Sequence, residues 1–92
     1  MSMKHQLRKP IQAHGEEIEL LDMREPTGAD IRELGLPYRI NPEDSTIIVD
    51  ARVVAKYISS LGAIPSSSVD QLSGGDFSAL SMAVVGFFGN AE

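Results

Sequence analysis

The chain has 92 residues, of which 42% are hydrophobic and 23% are charged, and its formal net charge is −5. This length is typical of one domain, and the hydrophobic content is too high for a disordered protein. The absence of cysteine excludes disulfides, thiolate zinc sites and cysteine nucleophiles. No apolar stretch approaches the roughly 20 residues of a membrane helix, and the polar N-terminus has no apolar signal core. We therefore predict a soluble cytoplasmic protein with a single domain over residues 1–92, a core over about 4–89 and no separate linker.

Charge is distributed unevenly along the chain. Residues 15–50 contain ten acidic residues and three arginines, whereas residues 51–92 contain only five charged side chains. An acidic protein repels phosphate, and Lys4, Arg8 and Lys9 give only a weak basic footprint. The sequence therefore predicts no nucleic-acid partner, and the charge-poor second half requires something to cover it.

The N-terminal part predicts a β-hairpin. Residues 4–11 form one expected strand, with Leu7 and Ile11 on the same face, and residues 17–24 form the return strand. Gly15 can adopt a positive φ in the turn between them. The apolar alternation changes phase after Leu20, which indicates a β-bulge or a strand that is buried on both sides.

A short helix is expected after this hairpin. Thr27 is its predicted N-cap, and Asp30 lies at the third helical position, where its charge favours the helix N-terminus. The helix is expected to run to about Leu34, because Gly35 suits the position after a helix end.

Residues 38–49 have two interpretations. The β-branched run from Thr46 to Val49 favours a second short hairpin. Asn41 followed by Pro42 could instead begin a long helix. The hairpin is preferred because Asp50 is a suitable N-cap for the helix that follows.

That following helix is predicted from about Ala51 to Leu61, with an apolar face, and Gly62 is expected to end it. Ser67 is the predicted cap of a single turn from Val69 to Leu72.

The final helix is apolar almost all round. Ser73 is its predicted N-cap and Asp76 its third residue, and nine of the twelve residues from Phe77 to Phe88 are apolar. A surface helix needs only one apolar stripe. This helix is therefore expected to be buried on more than one side, either within its own domain or against another protein. Together these elements predict an α+β fold, with an N-terminal β-hairpin and a second short hairpin, and two or three helices.

No group of residues indicates catalysis or cofactor binding. The two histidines, His5 and His14, have no carboxylates at metal-ligand spacing, and the chain contains no phosphate-binding or nucleophile-elbow motif. Glu16, Glu17 and Glu19 have no partner that would tune a general acid. The sequence therefore predicts a protein that is not an enzyme and that uses no cofactor or metal.

Several segments in order carry a resemblance to a known family. They are Leu21 to Ile31, Val54 to Ser59, Ile64-Pro65, Val69 to Ser73, Asp76-Phe77 and Val85 to Phe88. This set, over about residues 6–89, resembles the small tail assembly chaperones of contractile-tailed bacteriophages and of the prophages derived from them.

The resemblance implies a non-enzymatic assembly factor in the cytoplasm of the bacterial host. Such proteins bind the long, aggregation-prone tape-measure protein and help tail-tube subunits to gather on it. They leave before the virion matures. In many relatives the gene also makes a longer product by translational frameshifting, which a protein sequence does not reveal.

The candidate partner-binding residues follow from the apolar pattern and not from a family motif. An apolar groove for amphipathic helices is expected from five side chains: Tyr57, Met82, Val85, Phe87 and Phe88. Methionine suits a surface that accepts varied sequences, and the acidic residues within 16–50 would keep a complex soluble. The same surface could instead pair two copies of the chain, which would make a homo-oligomer.

Two other functions are compatible with the sequence. A small phage DNA-binding regulator would need basic residues on one exposed helix face, and residues 51–92 offer only Arg52 and Lys56. A structural tail or baseplate component would persist in purified virions, whereas a chaperone would be absent from them.

Overall fold

The computed structural model describes residues 2–89, so residue 1 and residues 90–92 of the predicted domain lie outside the described residues. The elements in chain order are β1 (Ser2–Ala13), β2 (Glu16–Arg24), α1 (Gly28–Leu34), β3 (Tyr38–Ile40), β4 (Ile47–Val49), α2 (Ala51–Gly62), α3 (Ser66–Val69) and α4 (Gly74–Gly89). The predicted α+β fold is confirmed. The second hairpin, and not a long helix, occupies residues 38–49.

Strands β1 and β2 form an antiparallel hairpin. His14 and Gly15 have φ values of 53° and 76° at its tip, which is the positive-φ pair of a two-residue turn that matches the twist of the strands. Leu7 and Ile11 are both buried, as the alternation predicted.

The irregularity expected in β2 lies in β1 instead. Gln6 pairs with Leu20 and Ile11 pairs with Ile18, so the four residues between Gln6 and Ile11 oppose Glu19 alone. One of these four is Pro10, which has no backbone N–H and is therefore suited to a bulge. The change of phase in the apolar alternation of β2 correctly indicated a break in strand pairing. The prediction of a bulge in β2 was wrong, because the extra residues belong to β1.

The side chain of Asp76 fills the hydrogen-bonding gap that the bulge creates. Its carboxylate accepts from the backbone N–H of Arg8 at 2.9 Å and of Lys9 at 3.2 Å. The Ser73 hydroxyl donates to the same carboxylate at 3.0 Å, and His5 Nε2 lies 3.1 Å from its other oxygen. Asp76 is fully buried. The predicted cap is also present, since the Asp76 N–H donates to Ser73 Oγ at 3.1 Å.

Helix α1 carries the predicted capping box. The Asp30 N–H donates to Thr27 Oγ1, and the Thr27 N–H donates to the Asp30 carboxylate at 2.8 Å. Arg24, at the end of β2, binds both oxygens of Asp30 at 2.8 and 3.1 Å. This two-point contact fixes the start of α1 against the end of the first hairpin.

Gly62 has a different role from the one expected. The residue with left-handed geometry at the end of α2 is Ala63, with a φ of 55°. A Cβ added to Gly62 would lie only 3.1 Å from Cδ1 of Leu21. Gly62 is therefore small because α2 packs closely on β2, and the helix ends one residue later.

Helix α3 begins at Ser66 instead of Val69. Ser67 therefore lies inside the helix and is not its cap. The residue at the N-cap position makes no side-chain hydrogen bond. The Ser68 hydroxyl instead donates to the backbone oxygen of Gln12 at 2.5 Å. A contact with β1 thus positions this turn, which local capping rules did not reveal.

One hydrophobic core joins the first hairpin to α2, α3 and α4. Helix α2 packs on β2 and also contacts α1, α3 and α4. The fully or almost fully buried apolar side chains are Leu7, Ile11, Ala13, Leu21, Met23, Val54, Tyr57, Ile58, Leu61, Ile64, Val69, Leu80 and Val84.

We predict that Asp76→Ala lowers the free energy of unfolding by about 2–4 kcal/mol, because it leaves the N–H groups of Arg8 and Lys9 without their acceptor. Asp70→Ala is the matched control, since Asp70 is exposed and is expected to change stability by less than about 0.5 kcal/mol. Urea unfolding at neutral pH measures both. Equal stability of the two variants would contradict the role assigned to Asp76.

Acidification should destabilise the fold. Burial raises the pKa of Asp76, but hydrogen bonds from Arg8, His5, Lys9 and Ser73 outweigh it and lower the pKa to about 2. The hydrogen bonds from Arg24 likewise hold the pKa of Asp30 well below its ordinary value.

Both carboxyl groups are more acidic in the folded than in the unfolded chain, so their stabilisation is complete above the unfolded pKa of about 4 and declines as the pH falls towards 2. We expect a lower free energy of unfolding at pH 3 than at pH 6, measured by urea titration. Asp76→Ala should reduce this pH dependence, and an unchanged slope would argue against it.

Candidate functional site: an exposed apolar surface

Large exposed hydrophobic side chains concentrate around the second hairpin. Among the described residues, six are exposed by 40% or more: Leu20, Leu36, Ile40, Ile47, Val49 and Met82. Four of these six lie on β3 and β4 or just before them. Single exposed apolar residues are ordinary, but a group of them marks a surface that contacts something.

The register of the second hairpin places four of its five apolar side chains on one face. Tyr38 pairs with Val49 and Ile40 pairs with Ile47. Directly paired residues of antiparallel strands point to the same side, and neighbours along a strand alternate. These four residues therefore form one face, here named the ribbon face, whereas Arg39 and Ile48 point to the other side.

Phe88 connects the ribbon face to the core. Its ring lies edge-on to Tyr38, with centroids 6.1 Å apart, and edge-on to Tyr57, with centroids 5.6 Å apart. Tyr57 is fully buried, and its hydroxyl donates to the backbone oxygen of Gly35 at 2.5 Å. Burial, with a smaller effect of the Asp30 charge, raises the pKa of this hydroxyl. The ends of α1 and α4 and the base of the second hairpin thus meet at these rings.

The structure brings some of the predicted site residues together and separates others. Tyr57 and Phe88 are in contact, so Tyr57 supports the surface from below and is not itself accessible. Val85 and Phe87 are half-buried on α4. Met82 is 67% exposed and lies on the side of α4 opposite the buried core residues, so it does not join the two rings.

Sequence reasoning missed Leu36, Ile40, Ile47 and Val49 as surface residues. The β-branched run that includes Ile47 and Val49 predicted a strand correctly, but such runs are usually buried. Only the tertiary structure reveals that no other described element covers most of the ribbon face.

A groove of about 620 Å³ lies at the base of the second hairpin. Polar and apolar surface contribute about equally to its lining, which consists of Leu36, Tyr38, Arg39, Ile48, Val49, Asp50, Ala51 and Arg52. The Asp50 carboxylate already accepts from the N–H groups of Arg52 and Val53 at 3.1 and 3.3 Å, and so caps α2. The polar side-chain groups of this lining that remain available to a partner are therefore the two arginines and the Tyr38 hydroxyl.

The described residues include no cluster of three or more side chains suited to a metal ion. Their two buried carboxylates, Asp30 and Asp76, are fully engaged in structural hydrogen bonds. No helix within residues 2–89 is long and apolar enough to cross a membrane. What this arrangement offers chemically is an apolar contact surface beside two guanidinium groups.

An exposed apolar surface on a small α+β domain is typical of proteins that act by contacting other proteins. Comparison with protein families identifies the family: residues 4–89 match the one described as phage tail assembly chaperone proteins, E, or 41 or 14. The chain belongs to this family of phage tail assembly chaperones, as its resemblance predicted. Membership suggests a non-enzymatic role in tail assembly, with phage tail proteins as partners. Comparisons with curated proteins and with solved structures found no significant match.

We predict that Phe88→Ala lowers the free energy of unfolding by about 1–3 kcal/mol, because it removes two edge-on ring contacts and part of the cover over Tyr57. Met82→Ala, on the exposed side of the same helix, should change it by less than about 0.5 kcal/mol. Thermal and urea unfolding test this difference. Equal losses in both variants would show that Phe88 does not support the surface.

Proposed function

We propose that this chain binds the tape-measure protein of its phage and thereby assists assembly of the tail tube. The binding region is the ribbon face together with the C-terminal half of α4, named here the apolar surface. It includes the predicted residues Val85, Phe87 and Phe88, with Tyr57 as buried support, and the predicted residue Met82 is a separate contact on the outward side of the same helix.

The single observation that carries this proposal is the exposure of the ribbon face beside Phe88. Ile40 and Ile47 are 60% and 56% exposed although they lie directly opposite each other and are wholly apolar. Exposing apolar side chains to water is energetically unfavourable. A group of them on the surface is typical of a site where a bound partner removes the surface from water.

The chemistry of the surface suits an amphipathic helix. Branched aliphatic and aromatic side chains offer anchor positions for apolar residues spaced along one helix face, and Met82 adds an adaptable contact. Arg52 at the groove can meet an acidic residue of the partner helix. The tape-measure protein, which is long and helical, presents such faces before assembly.

The net charge of −5 supports a chaperone role in a second way. A complex between an aggregation-prone chain and a small acidic protein gains charge, which opposes further association. We further propose that the chain acts in the cytoplasm of the bacterial host, uses no cofactor or nucleic acid, and is absent from the mature virion.

Co-expression with the tape-measure protein tests the partner. We expect the chain to keep the tape-measure protein soluble and to co-purify with it, while mass spectrometry of purified virions should not detect the chain. Failure of solubilisation and co-purification would overturn the tape-measure assignment. Recovery of the chain from virions would instead favour a structural tail component.

Three matched variants test the surface in the same assay. Ile40→Ser and Met82→Ser should each weaken co-purification by about tenfold, because each removes an exposed apolar contact without disturbing the core. Leu20→Ser is the control, since Leu20 is 50% exposed but lies on the first hairpin. Equal binding by all three variants would reject the apolar surface as the binding site, even with the partner confirmed.

A further inference from the structure

The outer edge of β4 is an unprotected strand edge. Natural edge strands are usually blunted by charges, prolines or bulges, and β1 carries Lys4, Pro10 and a bulge. Strand β4 consists of Ile47, Ile48 and Val49 and has none of these features. It pairs with β3 alone among the described strands.

The hydrogen bonds of the hairpin show which backbone groups lie on this edge. The Asn41 N–H donates to Thr46 O at 2.8 Å, and the Asp50 N–H donates to Pro37 O at 2.9 Å. Since bonded pairs alternate along antiparallel strands, Arg39 and Ile48 form the bonded pair between these two. The N–H and C=O groups of Ile47 and Val49 therefore point away from β3, with no backbone partner in the described residues.

We propose that two copies of the chain associate through their β4 strands, antiparallel, about a twofold axis at Ile48. In this register Ile47 of one copy lies opposite Val49 of the other, and each such pair exchanges two backbone hydrogen bonds. Their outward N–H and C=O groups have the spacing that this pairing requires. The two hairpins become one four-stranded sheet with a continuous, doubled ribbon face.

The alternative edge, on β3, is unsuited to the same pairing. A twofold axis there would place Arg39 directly opposite Arg39 of the second copy, and adjacent like charges destabilise a strand pair. Pro37 and Pro42, which have no N–H to donate, lie close to both ends of β3. The charge-free β4 edge is therefore the one that fits a second copy.

Charge complementarity beyond the strands favours the same arrangement. Asp44 lies in the loop just before β4, and Arg52 lies in the first turn of α2 just after it, so antiparallel pairing brings the loop of one copy and the first turn of α2 of the other to the same end of the joined strands. One oxygen of Asp44 accepts from the N–H and hydroxyl of Thr46 at 3.0 and 2.7 Å, which orients the carboxylate in the hairpin loop. Arg52 makes no ion pair within residues 2–89.

Pairing through β4 needs only the isolated chain and no tape-measure partner. Sedimentation equilibrium or light scattering over a concentration series tests it directly. We expect a reversible dimer. A chain that stays monomeric up to about 1 mM would overturn the proposal.

Two proline variants identify the edge. Ile47→Pro removes an outward N–H from β4 and should weaken the dimer about 30-fold or more, since one bond is lost in each copy. Ile40→Pro removes the equivalent outward N–H from β3 and should leave the dimer intact. Any other pattern, including loss in both or in neither, would overturn pairing through β4. Circular dichroism verifies that both variants fold alike.

Hydrogen exchange of the wild-type chain gives a second readout without substitutions. The amides of Ile47 and Val49 should become protected as the concentration rises, whereas the amide of Ile40 should exchange rapidly throughout. Concentration-independent exchange at Ile47 and Val49 would overturn the proposal.

Asp44→Arg and Arg52→Asp should each weaken the dimer about two- to fivefold, and combining them should restore it.

Discussion

The buried carboxylate of Asp76 is the constraint on which the rest of the structure depends. A four-residue bulge in β1 leaves the N–H groups of Arg8 and Lys9 without partners in β2, and such groups are costly to bury unsatisfied. Asp76 accepts both and also lies in the capped first turn of α4 with Ser73. One side chain therefore closes the bulge and attaches the last helix to the first strand.

This attachment determines how α4 crosses the domain. With its first turn held at the bulge, Leu80 and Val84 pack into the core. Phe88 then reaches Tyr57 and Tyr38 at the other end. Burial within its own domain therefore explains most of the apolar character of α4. This was one of the two interpretations of its sequence. The apolar surface proposed to bind a partner lies mainly on the second hairpin, and α4 contributes its C-terminal half.

The two hairpins have different structural roles. The first contributes to the core and carries charges and a bulge that protect its strands, whereas the second is short, has four apolar residues on one face and contacts α4 through the rings of Tyr38 and Phe88. A two-stranded ribbon of this length is only marginally stable by itself. In this member of the phage tail assembly chaperone family, the proposed contact surface therefore lies mainly on the less stable of its two hairpins.

The sequence by itself determined the fold class, the family and the local signals. The caps at Thr27, Asp50 and Ser73 and the glycine of the first turn each depend on residues within a few positions of one another. The tertiary structure alone decided the strand that carries the bulge, the packing reason for Gly62, the start of α3 and the exposure of the ribbon face. The physical reason is distance along the chain: the contact between Asp76 and Arg8 spans 68 positions, and Gly62 meets Leu21 only after α2 has packed on β2. Periodicity and capping rules describe neighbours, whereas burial depends on which distant segments come together.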